Sequence, residues 1–193
     1  MKLVLASNSP RRRQLLSDLG LEYEIRLVEV DEEFPGHLRR AEVAEYLAVH
    51  KAAAYAAGLA PDEIVITADT IVCLGDDVLN KPADVAEATA MLTRLQGRAH
   101  DVFTAVCLRC GDGREVIFSD QTTVTFRPLS PAEINHYIVT ARPFDKAGAY
   151  GAQDWLGMVG IERLEGSYFT VMGLPTHRLW EELEKLGALP ART

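Results

Sequence analysis

The run Ile64-Val65-Ile66-Thr67-Ala68-Asp69-Thr70-Ile71-Val72-Cys73-Leu74 is apolar at both its odd and its even positions. Strand side chains alternate between the two faces of a sheet, so a stretch of this kind is a central strand covered on both sides. Gly75-Asp76-Asp77 turns the chain back. One residue breaks the pattern. An ionised carboxylate at Asp69 is costly unless it is paired, hydrogen-bonded or metal-bound. Asp69 is therefore either a metal ligand or general base, or a local cap acting with Thr70.

The segments around that strand alternate in type. Leu3-Val4-Leu5 is a short strand, and Ser9-Pro10 is a helix start, with serine as cap and proline in the first position. Leu15, Leu16 and Leu19 give this helix an apolar face, and Gly20 ends it. A second strand is expected over 23–30 and an alanine-rich helix over 39–57. Asp84 and Glu87 form a capping box for a helix running to Gly97. Two β-rich runs, 99–109 and 115–126, flank Gly111-Asp112-Gly113 as a hairpin. Ser130-Pro131-Ala132-Glu133 caps a helix over 130–141. Gly148, Gly151 and Gly157 loosen the segment after it, and Gly187 stops a last helix patterned by Leu179, Trp180, Leu183 and Leu186. The alternation predicts an α/β fold with a mixed sheet in a chain of 193 residues, sized for one domain.

Charge narrows the function. With 20 Lys+Arg against 28 Asp+Glu, the formal charge is −8. A chain-wide grip on duplex nucleic acid needs a basic stripe, so any polyanion must be held in a local basic pocket. Three cysteines suit a reducing compartment. Cys107 and Cys110 make a C-x-x-C pair without a second pair, and a strand points them to opposite faces, which argues for buried strand cysteines rather than a metal cage. Met1 to Ser7 is too short an apolar run for a signal peptide, and no stretch reaches the ~18 to 20 apolar residues of a membrane span. The chain reads as soluble and cytoplasmic.

Ser7-Asn8-Ser9-Pro10-Arg11-Arg12-Arg13 is the most informative turn. A helix start carries partial positive charge and unpaired N–H groups, so it normally attracts acidic residues. Three arginines there oppose the dipole unless an anion is bound, which makes the turn a phosphate site, or else a solvated basic turn. It is neither a P-loop nor a G-x-G-x-x-G motif. Lys51 and Lys81 matter only if they converge with the arginines. Glu32, in an acidic loop, could share a divalent cation with Asp69, because hard cations prefer oxygen ligands. His100 is isolated, and the remaining histidines lack zinc spacing. Asp145-Lys146-Ala147-Gly148-Ala149-Tyr150-Gly151-Ala152-Gln153 is either a glycine-rich surface loop or a site where small residues allow close approach to a planar ligand and Gln153 offers both donor and acceptor to a base edge. Gly166-Ser167-Tyr168 and Met172-Gly173-Leu174-Pro175 mark a further strand-to-helix turn with no role legible in the residues.

Taken in order, Ala6-Ser7-Asn8-Ser9-Pro10-Arg11-Arg12, Lys51-Ala52, Ala68-Asp69-Thr70, Lys81-Pro82, Gly97-Arg98-Ala99-His100, Asp145 to Gly151 and Gly166-Ser167-Tyr168 resemble the motifs of the Maf family, over about residues 3 to 185. The resemblance implies a twisted mixed sheet with flanking helices, related to the inosine triphosphatases, as one domain over 1–193 with two lobes around a central cleft. It implies a nucleoside triphosphate pyrophosphatase that cleaves between the α- and β-phosphates with Mg²⁺ or Mn²⁺. The segment ending in Gln153 resembles the subgroup preferring dTTP and UTP, including modified uridine nucleotides. Carried over by position, Asp69 would be the proton acceptor, and Arg11, Thr70 and Gln153 would influence base choice. Arg12, Lys51 and Lys81 would hold the triphosphate, Ser7 and Ser9 would join the substrate-binding set, and Glu32 with Asp69 would bind metal. Ala152 departs from the branched residue common there, and Arg13 falls outside the motif.

The expected ligand is a small nucleoside triphosphate, with no nucleic-acid or membrane partner. Family members are often dimers, but no interface is legible. The alternative function is a nucleotide-sensing regulator of cell division, linked to septum formation, which would bind nucleotide with little turnover.

Overall fold

The computed structural model describes residues 1–189. The elements run β1 (Lys2–Leu5), α1 (Pro10–Asp18), β2 (Tyr23–Ile25), α2 (Ala41–Ala53), β3 (Glu63–Leu74), β4 (Asp77–Leu79), α3 (Val85–Leu95), β5 (Ala99–Cys110), β6 (Glu115–Phe126) and α4 (Pro131–Ala141). A short 3-10 turn (Ala147–Ala149), α5 (Trp155–Gly160), β7 (Ile161–Glu165), α6 (Tyr168–Met172) and α7 (Thr176–Lys185) complete the described chain. The strands form one seven-stranded sheet in the order β2-β1-β3-β5-β6-β7, with β4 on β3. β1 runs parallel to β2 and β3, whereas β3–β4 and β6–β7 are antiparallel, so the sheet is mixed as the alternation predicts. No helix among the described residues is long and apolar enough to cross a membrane.

The chain divides into two compact units. Among the described residues the first comprises 1–69, 104–120 and 173–189; the second comprises 70–103 and 121–172. In the first, Leu5, Leu16, Ile64 and Ile66 are fully buried, and Val4 and Val65 pack with Tyr55. In the second, Val72, Leu92, Leu95, Phe126, Tyr137, Ile138 and Leu156 form a continuous core. Each buried Leu, Ile or Phe contributes about 1.5–3 kcal/mol relative to exposure, which is what holds the helices on the sheet. The first segment of the first unit ends within β3 at Asp69.

Several elements are shorter than their patterns suggest, for local reasons. The strand expected over 23–30 ends at Ile25. Arg26 still donates its N–H to Leu5, but its side chain forks onto Glu63 at 2.8 and 3.1 Å, and the N–H of Val28 goes to the Tyr55 hydroxyl instead of a neighbouring strand. The helix expected over 39–57 covers Ala41–Ala53, because Arg40 has φ 53° and ψ −129°, and bonds three residues apart replace the helical pattern after Ala53. α3 stops at Leu95, since Gln96 is already extended with ψ 139°. Its capping box is half made: Asp84 accepts from the N–H of Glu87, while the Glu87 carboxylate turns to the N–H of Ala83. At Ser130 and Glu133 the box is complete in both directions. The strand-to-helix turn at Gly166-Ser167-Tyr168 implies a strand before it, which is β7, but neither its bounds nor its alternation are legible in the residues. Glu162, Arg163 and Glu165 hide its alternation, and pairing with β6 at the sheet edge creates it.

Candidate active site

The first turn of α1 folds as its residues dictate. Ser9 caps it, accepting the N–H of Arg12 at 3.4 Å, and no acidic residue offsets the dipole. Ser7 is buried, and its Oγ accepts the N–H of Ser9 at 3.2 Å and Nη1 of Arg12 at 3.3 Å. Arg12 also donates from Nε to the carbonyl oxygen of Gly173 at 2.8 Å. Gly173 has φ 107°, open to glycine and strained for other residues, so the Met172-Gly173-Leu174-Pro175 turn gains a role: it presents a carbonyl to the arginine. Arg13 turns back to the Asn8 side chain at 3.3 Å.

Thr67 and Asp69 share one face of β3 because strand side chains repeat every two residues. The buried Thr67 hydroxyl donates to the Ala48 carbonyl at 2.7 Å, which fixes α2 against β3. Three residues further along α2, Lys51 arrives over Asp69. Its Nζ donates to Asp69 Oδ1 at 2.6 Å and to Glu32 Oε1 at 2.8 Å. Lys51 and Asp69 are largely enclosed, with side-chain exposures of 16% and 12%. Lys51 is thus a cation between two carboxylates rather than a surface lysine, and Asp69 is paired rather than a local cap. Burial lowers the pKa of Arg12, the Asp69 charge opposes that, Arg11 adds to it, and Glu32 opposes it. Arg11, Arg12, Glu32, Lys51 and Asp69 therefore act in one electrostatic cluster within the first unit.

Among the described residues no three His, Cys, Asp or Glu side chains are grouped to cage a metal. The two carboxylates gathered on Lys51 do fit Mg²⁺, which is commonly held by one or two carboxylates plus substrate phosphates. A third protein ligand is not needed when phosphate oxygens and water complete the shell.

Thr70, Lys81 and Gln153 lie in the second unit. Thr70 is half-buried, and Lys81 is exposed in the loop before Pro82. Gln153 donates from Nε2 to Asp154 Oδ1 at 2.9 Å, and its Oε1 is buried without a hydrogen-bond partner. Asp154 Oδ2 accepts from the Tyr137 hydroxyl at 2.7 Å, and that hydroxyl accepts the N–H of Gly151 at 3.1 Å. His100 is structural: Nε2 meets the Tyr150 hydroxyl at 2.7 Å, its ring packs edge-on against Phe126 and Tyr150, and burial pushes its pKa down to about 4. Sequence reasoning missed Gly173, Asp154 and Tyr137. Only Gly173 stood in a visible motif, and its role needs a contact 161 positions away.

Residues 2–186 match the sequence profile of the family described as Maf-like protein. A dTTP/UTP pyrophosphatase from Phocaeicola vulgatus is 50% identical over 186 residues, 96% of each chain. Proteins of the same name from Cytophaga hutchinsonii and Parabacteroides distasonis are 48% and 47% identical, over 95% of this chain and 84% and 95% of theirs. A solved nucleoside-triphosphatase / dITP/XTP pyrophosphatase from Mycobacterium abscessus aligns over 98% of both chains with TM-score 0.46 and 17% identity, a distant likeness. With nearly its whole length matched by both the profile and these relatives, the chain belongs to the Maf-like family.

Proposed function

We propose that this protein is a nucleoside triphosphate diphosphatase that hydrolyses dTTP and UTP to the monophosphate and pyrophosphate, clearing unwanted pyrimidine nucleotides from the cytoplasmic pool. The observation that carries the reading is the ammonium of Lys51 held between Asp69 and Glu32, two carboxylates whose charges also act on Arg12. Relatives at 47–50% identity that bear the dTTP/UTP pyrophosphatase name support the substrate class. The reading takes 1–193 as one functional domain, since the family match spans both units.

A triphosphate brings about four negative charges and competes with the two carboxylates for Lys51. Arg12, Lys51 and Lys81 hold its phosphates, aided by the cap residues Ser7 and Ser9. Once Lys51 turns to phosphate, Asp69 is free to take a proton from water. The water oxygen bonds to the α-phosphorus, the bond from that phosphorus to the α,β-bridging oxygen breaks, and pyrophosphate leaves. Asp69 and Glu32 would hold a divalent metal, which would supply charge neutralisation on the phosphates, and Asp69 would activate the water whether free or metal-bound. Arg11, Thr70 and Gln153 set base preference. Because no covalent intermediate is needed, the residues contribute positioning and electrostatics.

The test is product analysis. Purified protein with Mg²⁺ and a panel of canonical and modified triphosphates should release pyrophosphate and monophosphate, fastest from dTTP and UTP. Orthophosphate with diphosphate, or tight binding without turnover, would reject the reading.

A further inference from the structure

A glutamine amide presents a donor at one end and an acceptor at the other, and the two ends are nearly the same shape. A base-reading glutamine is informative only if something fixes which end faces the ligand. Here Asp154 fixes it. A carboxylate offers lone pairs only, so the amide end beside Asp154 Oδ1, 2.9 Å away, has to be the NH₂ group.

The carboxylate is itself held. Its second oxygen accepts from the Tyr137 hydroxyl at 2.7 Å and lies 3.7 Å from Lys146 Nζ. The backbone approaches the pair closely: a Cβ on Gly151 would lie 2.6 Å from Gln153 Nε2 and 2.7 Å from Asp154 Oδ2, so any larger residue there would push both side-chain ends aside. The Gly151 N–H also anchors the Tyr137 hydroxyl. What remains is the acceptor Oε1, buried and without a hydrogen-bond partner. An enclosed carbonyl oxygen lacking a donor costs free energy that a ligand N–H recovers.

We infer that Asp154 is a specificity-determining positioning residue: it ties the NH₂ of Gln153 away and leaves an acceptor that selects a base with an N–H at the facing ring position, the imide of uracil or thymine. Cytosine carries a lone pair at that ring nitrogen, so the same glutamine meets it acceptor to acceptor. Sites built around a fixed hydrogen bond discriminate far more sharply than apolar pockets, because a mismatch leaves buried polar atoms unpaired. The inference rests on the proposed role of Gln153 in reading the base.

Asp154→Asn keeps the shape but lets the neighbouring side chain either accept or donate, so both orientations of Gln153 become available. Steady-state kcat and KM are measured for UTP and CTP with Mg²⁺, alongside thermal melting. The wild type should prefer UTP, and in Asp154→Asn the ratio of kcat/KM values should fall by about tenfold or more, mainly through KM, with kcat for UTP nearly unchanged. A general loosening would lower both substrates alike and leave the ratio intact. Tyr137→Phe, which removes only the hydroxyl on the far oxygen, should shift the ratio in the same direction by a smaller factor, and it decides the matter if Asp154→Asn fails to fold. A wild-type ratio in a folded variant overturns the role of Asp154 alone. A wild-type protein that hydrolyses neither UTP nor dTTP overturns the proposed function, and this inference with it.

Discussion

Arg12 reaches the carbonyl oxygen of Gly173 with its Nε at 2.8 Å, tying the first turn of α1 to the chain entering α7, while Nη1 rests on Ser7 Oγ. The planar guanidinium makes both bonds at once, which a lysine ammonium on a different stem cannot copy. Arg12→Lys therefore keeps the charge but loses the geometry. We expect kcat/KM for UTP to drop about a hundredfold and stability to fall by about 1–2 kcal/mol. Urea titration and pyrophosphate release measure the two effects separately; a variant with unchanged kcat/KM would remove Arg12 from the phosphate site.

Asp69→Asn tests the proton acceptor. The amide cannot take a proton from water, so turnover should fall by about 10² to 10⁴-fold. Lys51 retains Glu32 as a partner, so the fold should survive with a modest loss of melting temperature. Lys51→Ala should behave differently: Asp69 and Glu32 lose their shared cation, raising KM and costing more stability than Asp69→Asn. Near-wild-type turnover of Asp69→Asn at saturating Mg²⁺ would sink the assignment.

The contrast between Lys51 and Gln153 shows where sequence stops being informative. Asp69 stands out because a carboxylate inside an apolar strand needs a partner, and Ser9-Pro10 followed by arginines announces its own helix start. Lys51, by contrast, is one lysine on an alanine-rich helix until the Thr67–Ala48 hydrogen bond sets α2 over β3. The partner of Gln153 is its own neighbour in the chain, yet nothing in Gln153-Asp154 reveals that the two side chains face each other. That depends on Gly151 and on Tyr137 from α4. Strand ends are hidden for the same reason: β2 stops at Ile25 because the Tyr55 hydroxyl captures the N–H of Val28.

Acid should destabilise the protein in two windows. Burial lowers the pKa of His100 from 6.5 to about 4, so the folded state binds fewer protons than the unfolded chain between those values. Its contribution is complete above pH 6.5 and is lost as pH falls to about 4. The hydrogen bond from Arg26 lowers Glu63 from 4.5 to about 2, so that contribution is complete above pH 4.5 and is lost on approach to pH 2. Melting temperatures across pH 7.5 to 3 should decline first through the histidine window. His100→Phe should flatten that first decline, and Glu63→Gln should leave it intact while reducing the second. A wild-type melting temperature constant from pH 6.5 to 4.5 would contradict the neutral, buried state of His100.

The Lys51 bridge also predicts an order of binding. Both carboxylates that suit a divalent ion already face an ammonium, so Mg²⁺ alone must displace a cation to gain them. A triphosphate draws Lys51 away and supplies further oxygen ligands, so metal and nucleotide should bind cooperatively. Mg²⁺ alone should therefore leave the melting temperature nearly unchanged, whereas Mg²⁺ with a non-hydrolysable UTP analogue at a hundredfold excess over Kd should stabilise by about 2.7 kcal/mol. In Lys51→Ala the two carboxylates lose their resident charge, and Mg²⁺ alone should then raise the melting temperature. Chelation should abolish turnover in the wild type without unfolding it. A large stabilisation of the wild type by Mg²⁺ alone would mean that the carboxylates do not depend on Lys51, and the proposed exchange of lysine from carboxylate to phosphate would fall.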